Sequence, residues 1–183
     1  MYSSFFSELN QMVKEQQSVL LTGLSDSARS MVWSELYGDF NGKVLCLVAD
    51  EEMAYDLERE MAGFIDKEKI LIFPGRNFLF ISESISQGEV KRIMTLDDCL
   101  LHPGRKSFII ATAAAFLHPL VAVEEMKANL IYLDIGKEID FTQMTYKLIR
   151  GGYSRTDTVT RPGEYAIRGD IIDIFPLNVT HPY

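Results

Sequence analysis

Apolar residues recur at helical spacing from the first residues of the chain. In SSFFSELNQMVKEQQ, Phe5, Phe6, Leu9, Met12 and Val13 form one stripe and leave Glu8, Lys14 and Glu15 for water, which predicts an amphipathic helix. SVLLTG (18–23) then predicts a buried strand. SARSMVWSELY (27–37) predicts a helix with Ala28, Met31, Val32 and Leu36 on one side. KVLCLVA (43–49) is fully apolar, as strands of a parallel sheet covered on both faces tend to be. Asp50 is placed to cap the helix EEMAYDLEREMAGF (51–64), whose acidic start suits the helix dipole and whose stripe is Met53, Ala54, Leu57, Met61 and Phe64.

KILIFP (69–74) predicts a third strand, closed by Pro74, and GRNFLFISES (75–84) is an apolar loop without period. SQGEVKRIMTLDDCLL (86–101) opens with a capping box, Ser86 and then Glu89 three residues later, and turns Val90, Ile93, Met94, Leu100 and Leu101 inward. KSFIIAT (106–112) predicts a fourth strand. Strands alternating with helices in this way imply an α/β fold with a parallel sheet and right-handed crossovers.

After AAAFLHPL the pattern changes. A short helix, VAVEEMKA, is followed by a predicted strand NLIYLD (129–134) and a helix from Asp140 with Phe141, Met144 and Leu148 inward. From residue 150 the chain reads as hairpins. RPGE places Pro162 and Gly163 at the centre of a type II turn, and RGD supplies a further glycine-centred reversal. The expected division is an α/β domain over 1–118 and a small α+β domain over 119–183.

Composition narrows the function. Apolar residues make up 47% of 183, enough for a buried core, and no apolar run reaches the roughly 18 residues of a membrane span. The start lacks the basic segment and apolar run of a secretory signal, so a cytoplasmic protein is expected. Cys46 and Cys99 have no redox or metal spacing, and His102, His118 and His181 are scattered, so neither set forms a metal site. A net charge of −8 disfavours nucleic-acid binding by the whole surface. The chain runs out just after a strand, in FPLNVTHPY, and a fragment of a longer protein is expected.

TGLSDSARS (22–30) has the spacing of a phosphate-binding loop, with Gly23, Ala28, Arg29 and Ser30 at the positions of G-x-x-x-x-G-K-[ST]. A working loop closes glycine N–H groups around the phosphates, reaches them with Lys, and holds Mg²⁺ by the hydroxyl. Ala28 puts a methyl where the backbone must approach, Arg29 a broad fork where a point charge is wanted, and Asp26 a negative charge. The changes disfavour phosphate binding together. A structural turn in which Asp26 caps the helix is the simpler reading.

GGYSRTDTVTRPGEYAIRGDIIDIFP (151–176) strongly resembles the amino-terminal module of the bacterial transcription-repair coupling factors, and a related run occurs in the excision-repair protein UvrB. LLTGLSDSARSM, ILIFPGRNFLF and IIATAAAFL agree with the same family, so the resemblance covers essentially the whole chain. It implies a RecA-like parallel sheet with a degenerate nucleotide loop, followed by a small domain that docks onto UvrA. In that family the ATP- and Mg-dependent motor on double-stranded DNA and the RNA polymerase contact lie elsewhere. The resemblance therefore implies no cofactor and no catalysis for this chain. The alternative is an ATP-binding UvrB-like subunit. That would need an intact loop and a long DNA-clamping hairpin, which is not found between FPGRNF and IIAT. UvrB also carries an Arg where Ala166 follows Tyr165.

Lys147, Arg150, Arg155, Arg161 and Arg168 fall in one 22-residue span whose only acids are Asp157 and Glu164. Such an excess suits protein docking, because Arg pairs bidentately with carboxylates and stacks on apolar surface. The resemblance matches Arg155 and Arg168 to basic positions of the family's UvrA-binding surface. Alternation in IIDIF sets Phe175 beside Asp173 on the polar face, as an exposed apolar anchor. Direct DNA binding through this basic stretch is a third reading.

Overall fold

The computed structural model describes residues 2–76, 86–117, 119–120, 122–177, 179 and 181–183. It divides into two compact units, one of Met1–Arg76 with Thr95–His118 and one of Asn77–Met94 with Pro119–Tyr183. His118, the expected boundary, and most of the loop GRNFLFISES lie outside the described residues.

The first unit is an α/β layer structure. Its helices are α1 (Tyr2–Lys14), α2 (Asp26–Asp39), α3 (Glu51–Met61) and the part of α4 (Gln87–Leu101) from Thr95 onwards. The strands β1 (Lys43–Val48), β2 (Ile70–Phe73) and β3 (Ser107–Thr112) form a parallel sheet in the order β1-β3-β2. Leu45 stands opposite Ile109, and Ile72 opposite Ile110. Every residue of central β3 is buried, as a strand with neighbours on both sides and layers on both faces must be. Ala54, Leu57 and Met61 of α3 pack with Cys46, Ile72, Phe108 and Ile110 on one face. Phe73, Ile109 and Ala111 meet Leu96 and Cys99 of α4 on the other.

The α/β class thus holds with three strands where four were expected. SVLLTG is not a strand, and Leu20 within it is 86% exposed. An apolar run becomes a strand only where a neighbouring edge takes its hydrogen bonds and a layer covers its side chains, and this run has neither. Other expected inward positions fail too: Met53 and Ile93 stand 39% and 37% exposed, and two further cases have local reasons. Phe64 is exposed because α3 ends at Met61, and Ile65 takes the buried place instead. Met31 points outward, while Val32 and Tyr37 of α2 face the core.

The second unit holds α5 (Val123–Ala128), α6 (Phe141–Arg150) and a small mixed sheet of β4 (Ser154–Arg155), β5 (Glu164–Arg168) and β6 (Ile171–Ile174) in that order. β4 runs parallel to β5, and β5 antiparallel to β6. Asp140 caps α6, its carboxylate accepting from the Thr142 and Gln143 amides at 2.9 and 3.0 Å. Met144 and Leu148 then pack on Tyr165 and Ile174, with Phe141, Tyr153, Ile167 and Ile172 around them. NLIYLD is not a strand. Ile131 packs into this core, but Tyr132 is 80% exposed, so the segment is anchored at one residue rather than paired along its length.

Candidate functional site

The altered phosphate loop keeps the outline of a glycine turn feeding a helix. Gly23 has φ 74°, a left-handed value that glycine adopts without strain. The cap of α2 is Ser25, whose hydroxyl accepts from the Ala28 amide at 3.4 Å, and not Asp26, which is the first residue of the helix. The Arg29 guanidinium turns back to the Asp26 carboxylate at 3.1 Å. Ser30 is 1% exposed; its hydroxyl donates to the Glu60 carboxylate of α3 and lies 3.3 Å from the Asp26 carbonyl. The Ser30 hydroxyl is enclosed and the Arg29 cation is turned to a neighbouring acid, two features that disfavour a triphosphate with Mg²⁺ here.

Other reactive side chains near the loop are quiet. Burial pushes the Cys46 thiol up to about 11, against a smaller opposing pull from Arg29, so it stays protonated at neutral pH. Burial raises Cys99 as well. Among the described residues no three His, Cys, Asp or Glu side chains gather as metal ligands, and no helix is long and apolar enough to cross a membrane.

The sheet of the second unit is organised around Glu164. Gly163 has φ 87° and the Glu164 amide donates to the Arg161 carbonyl at 3.2 Å, the geometry of the type II turn read from RPGE. The Glu164 carboxylate accepts from the Thr160 and Arg161 amides at 2.7 and 2.9 Å and from the Thr160 hydroxyl at 3.2 Å. Those amides, Thr160 first, hold its carboxyl below the usual value. Nothing but the acid's place after Pro-Gly hinted at this role.

Arg155 is exposed on edge strand β4, opposite Tyr165 in register. Arg168 ends β5, where its guanidinium pairs with the Asp173 carboxylate of β6. From 165 to 168 is three strand positions, so the backbones of the two arginines are separated by roughly 10 Å along the strand. Phe175 corrects the expectation of an exposed anchor. It is 8% exposed, because its amide and carbonyl bond to the Glu164 carbonyl and the Gly163 amide and draw it against the sheet. Ala166 is buried opposite Asp173. Of the other cations, Lys147 donates to the Leu130 carbonyl at 3.0 Å and Arg150 lies over the Tyr146 ring.

Residues 131–183, which hold this small mixed sheet and its exposed cations, match the model of the UvrB interaction domain. Along nearly its whole length the chain is similar to transcription-repair-coupling factors. It is 30% identical over 182 residues to that of Bacillus subtilis (strain 168), covering 99% of this chain, and 34% identical over 174 residues to that of Staphylococcus aureus (strain USA300), covering 94%. The resemblance read from the sequence is therefore upheld. The chain spans about 15% of the length of these curated relatives.

Proposed function

We propose that this chain is a docking module of a transcription-repair coupling factor, working in the cytoplasm, whose 131–183 segment binds UvrA and whose α/β unit neither binds nor hydrolyses nucleotide. The observation that carries this reading is the coincidence of the UvrB interaction domain match with the small mixed sheet bearing Arg155 and Arg168. The enclosed Ser30 supports the non-catalytic part. On this reading, ATP with Mg²⁺, double-stranded DNA and RNA polymerase are engaged by regions of the longer protein other than this one, and this chain's contribution is recruitment.

Binding of purified UvrA to the immobilised chain is the direct test. Micromolar or tighter affinity, weakened by salt and by the double reversal Arg155→Glu/Arg168→Glu, is expected. Absence of UvrA binding sinks the partner. Binding unchanged by the double variant sinks the site.

A further inference from the structure

We propose that the groove between the end of α5 and the outer side of α6 is a second docking site, one that takes an acidic peptide segment carrying an apolar anchor. The groove has a volume of about 420 Å³ and is lined by Asn129, Thr142, Gln143, Tyr146, Lys147 and Arg150. Its lining holds two cations and no acid, within a chain of net charge −8.

The outer side of α6 is not an ordinary solvated face. Met144 and Leu148 satisfy the core, yet Tyr146 and Ile149, three residues apart and so neighbours on the helix, stand 62% and 59% exposed. The Arg150 guanidinium lies 5.9 Å from the centre of the Tyr146 ring. At that distance the ring face attracts the cation while its N–H groups remain able to meet a carboxylate. Among the described residues Arg150 has no carboxylate partner, whereas Arg168 is held by Asp173. Lys147 donates one proton to the Leu130 carbonyl, which fixes the ammonium at the groove wall with two donors to spare. Thr142 and Gln143 offer polar groups to a peptide backbone. Cations held in place beside an exposed aromatic ring are the features of a protein hot spot. A nucleic acid fits less well, since two cations in an acidic chain release few counterions.

The test uses the 183-residue chain and a short fluorescein-labelled peptide of alternating glutamate and leucine ending in tryptophan, followed by anisotropy. Binding that falls with salt, and that weakens by at least about tenfold in Arg150→Glu and in Tyr146→Ala, is expected. Both side chains are exposed, so the fold survives either change, and circular dichroism checks it. Arg155→Glu is expected to leave peptide affinity unchanged, which separates this groove from the edge strand β4. No binding, affinity unchanged in Arg150→Glu, an equal loss in Arg155→Glu, or displacement of the peptide by oligothymidylate overturns the proposal.

Discussion

The Ser30 hydroxyl donates to the Glu60 carboxylate, joining α2 to the end of α3. A carboxylate near a helix C-terminus opposes the helix dipole, so Glu60 gains from a donor there, and Ser30 supplies it from the position a magnesium-binding hydroxyl would hold. Ser30→Ala is therefore expected to cost stability of about 1–3 kcal/mol, read from urea unfolding, because a half-buried charged acceptor loses its partner. Calorimetry with ATP and Mg²⁺ is expected to give no binding heat in the parent chain. Heat in the parent that disappears in Ser30→Ala, with stability unchanged, would show the hydroxyl serving a ligand instead.

A buried acid ties the sheet to α4. Asp98, 3% exposed, accepts from the Lys43 ammonium and from the Ser107 hydroxyl at 2.7 Å, with the Arg105 guanidinium at 3.5 Å. Lys43 also reaches the Arg105 carbonyl at 3.0 Å. Asp98→Ala is expected to lower stability by about 3–5 kcal/mol, since it leaves an ammonium without its counter-charge in a largely enclosed place. Lys43→Met/Asp98→Leu is expected to recover much of that loss. Denaturant midpoints of the two variants check it, and equal losses in both would contradict the account.

What the sequence shows and what it hides divide along a physical line. Local chemistry was legible: Asp50 and Ser86 each accept from the first-turn amides of the helices they were read to cap, and Pro162-Gly163 makes its expected turn. The apolar runs of β2 and β3 were legible too, because burial on both faces leaves little other pattern. KVLCLVA is a strand as expected, but it is not covered on both faces, since Leu45 and Leu47 stand 51% and 63% exposed. SVLLTG and NLIYLD also carry apolar runs and are not strands, since pairing depends on a partner edge that no run contains within itself. Phe175 misled for a related reason. Alternation assigned it to the polar face, but the strand ends at Ile174 and the next residue is held by bonds to Gly163 and Glu164. The acid beneath Ser30 lies 30 residues away in the chain, beyond the reach of any local motif.

The two sheet cations differ in what they have to give up on binding. Arg168 is held by Asp173, while Arg155 stands exposed on its edge strand. Arg155→Glu is expected to weaken UvrA binding by at least about tenfold at unchanged stability. Asp173→Asn frees the Arg168 guanidinium and is expected to tighten binding, at a stability cost below about 1 kcal/mol because the pair is solvent-exposed. Surface plasmon resonance with purified UvrA reads both. Weaker binding in Asp173→Asn would mean that the partner uses the carboxylate, or the pair as a unit, rather than the freed arginine.

Glu164 makes the turn beside these cations sensitive to acid. The Thr160 and Arg161 amides favour its charged form, so its carboxyl titrates below the ordinary value of 4.5 in the folded chain. A group with a depressed folded pKa contributes stability that is fully present above the unfolded value and is lost as pH falls through the folded one. The turn over 160–164 is thus expected to hold unchanged at neutral pH and to loosen only below about pH 4.5. Glu164→Gln is expected to abolish that acid step and to leave the turn looser above it, because a neutral amide accepts less strongly than a carboxylate. Amide chemical shifts of Thr160 and Arg161, followed against pH, measure both effects. Titration of those shifts at or above the ordinary value would show that the carboxylate does not hold the turn.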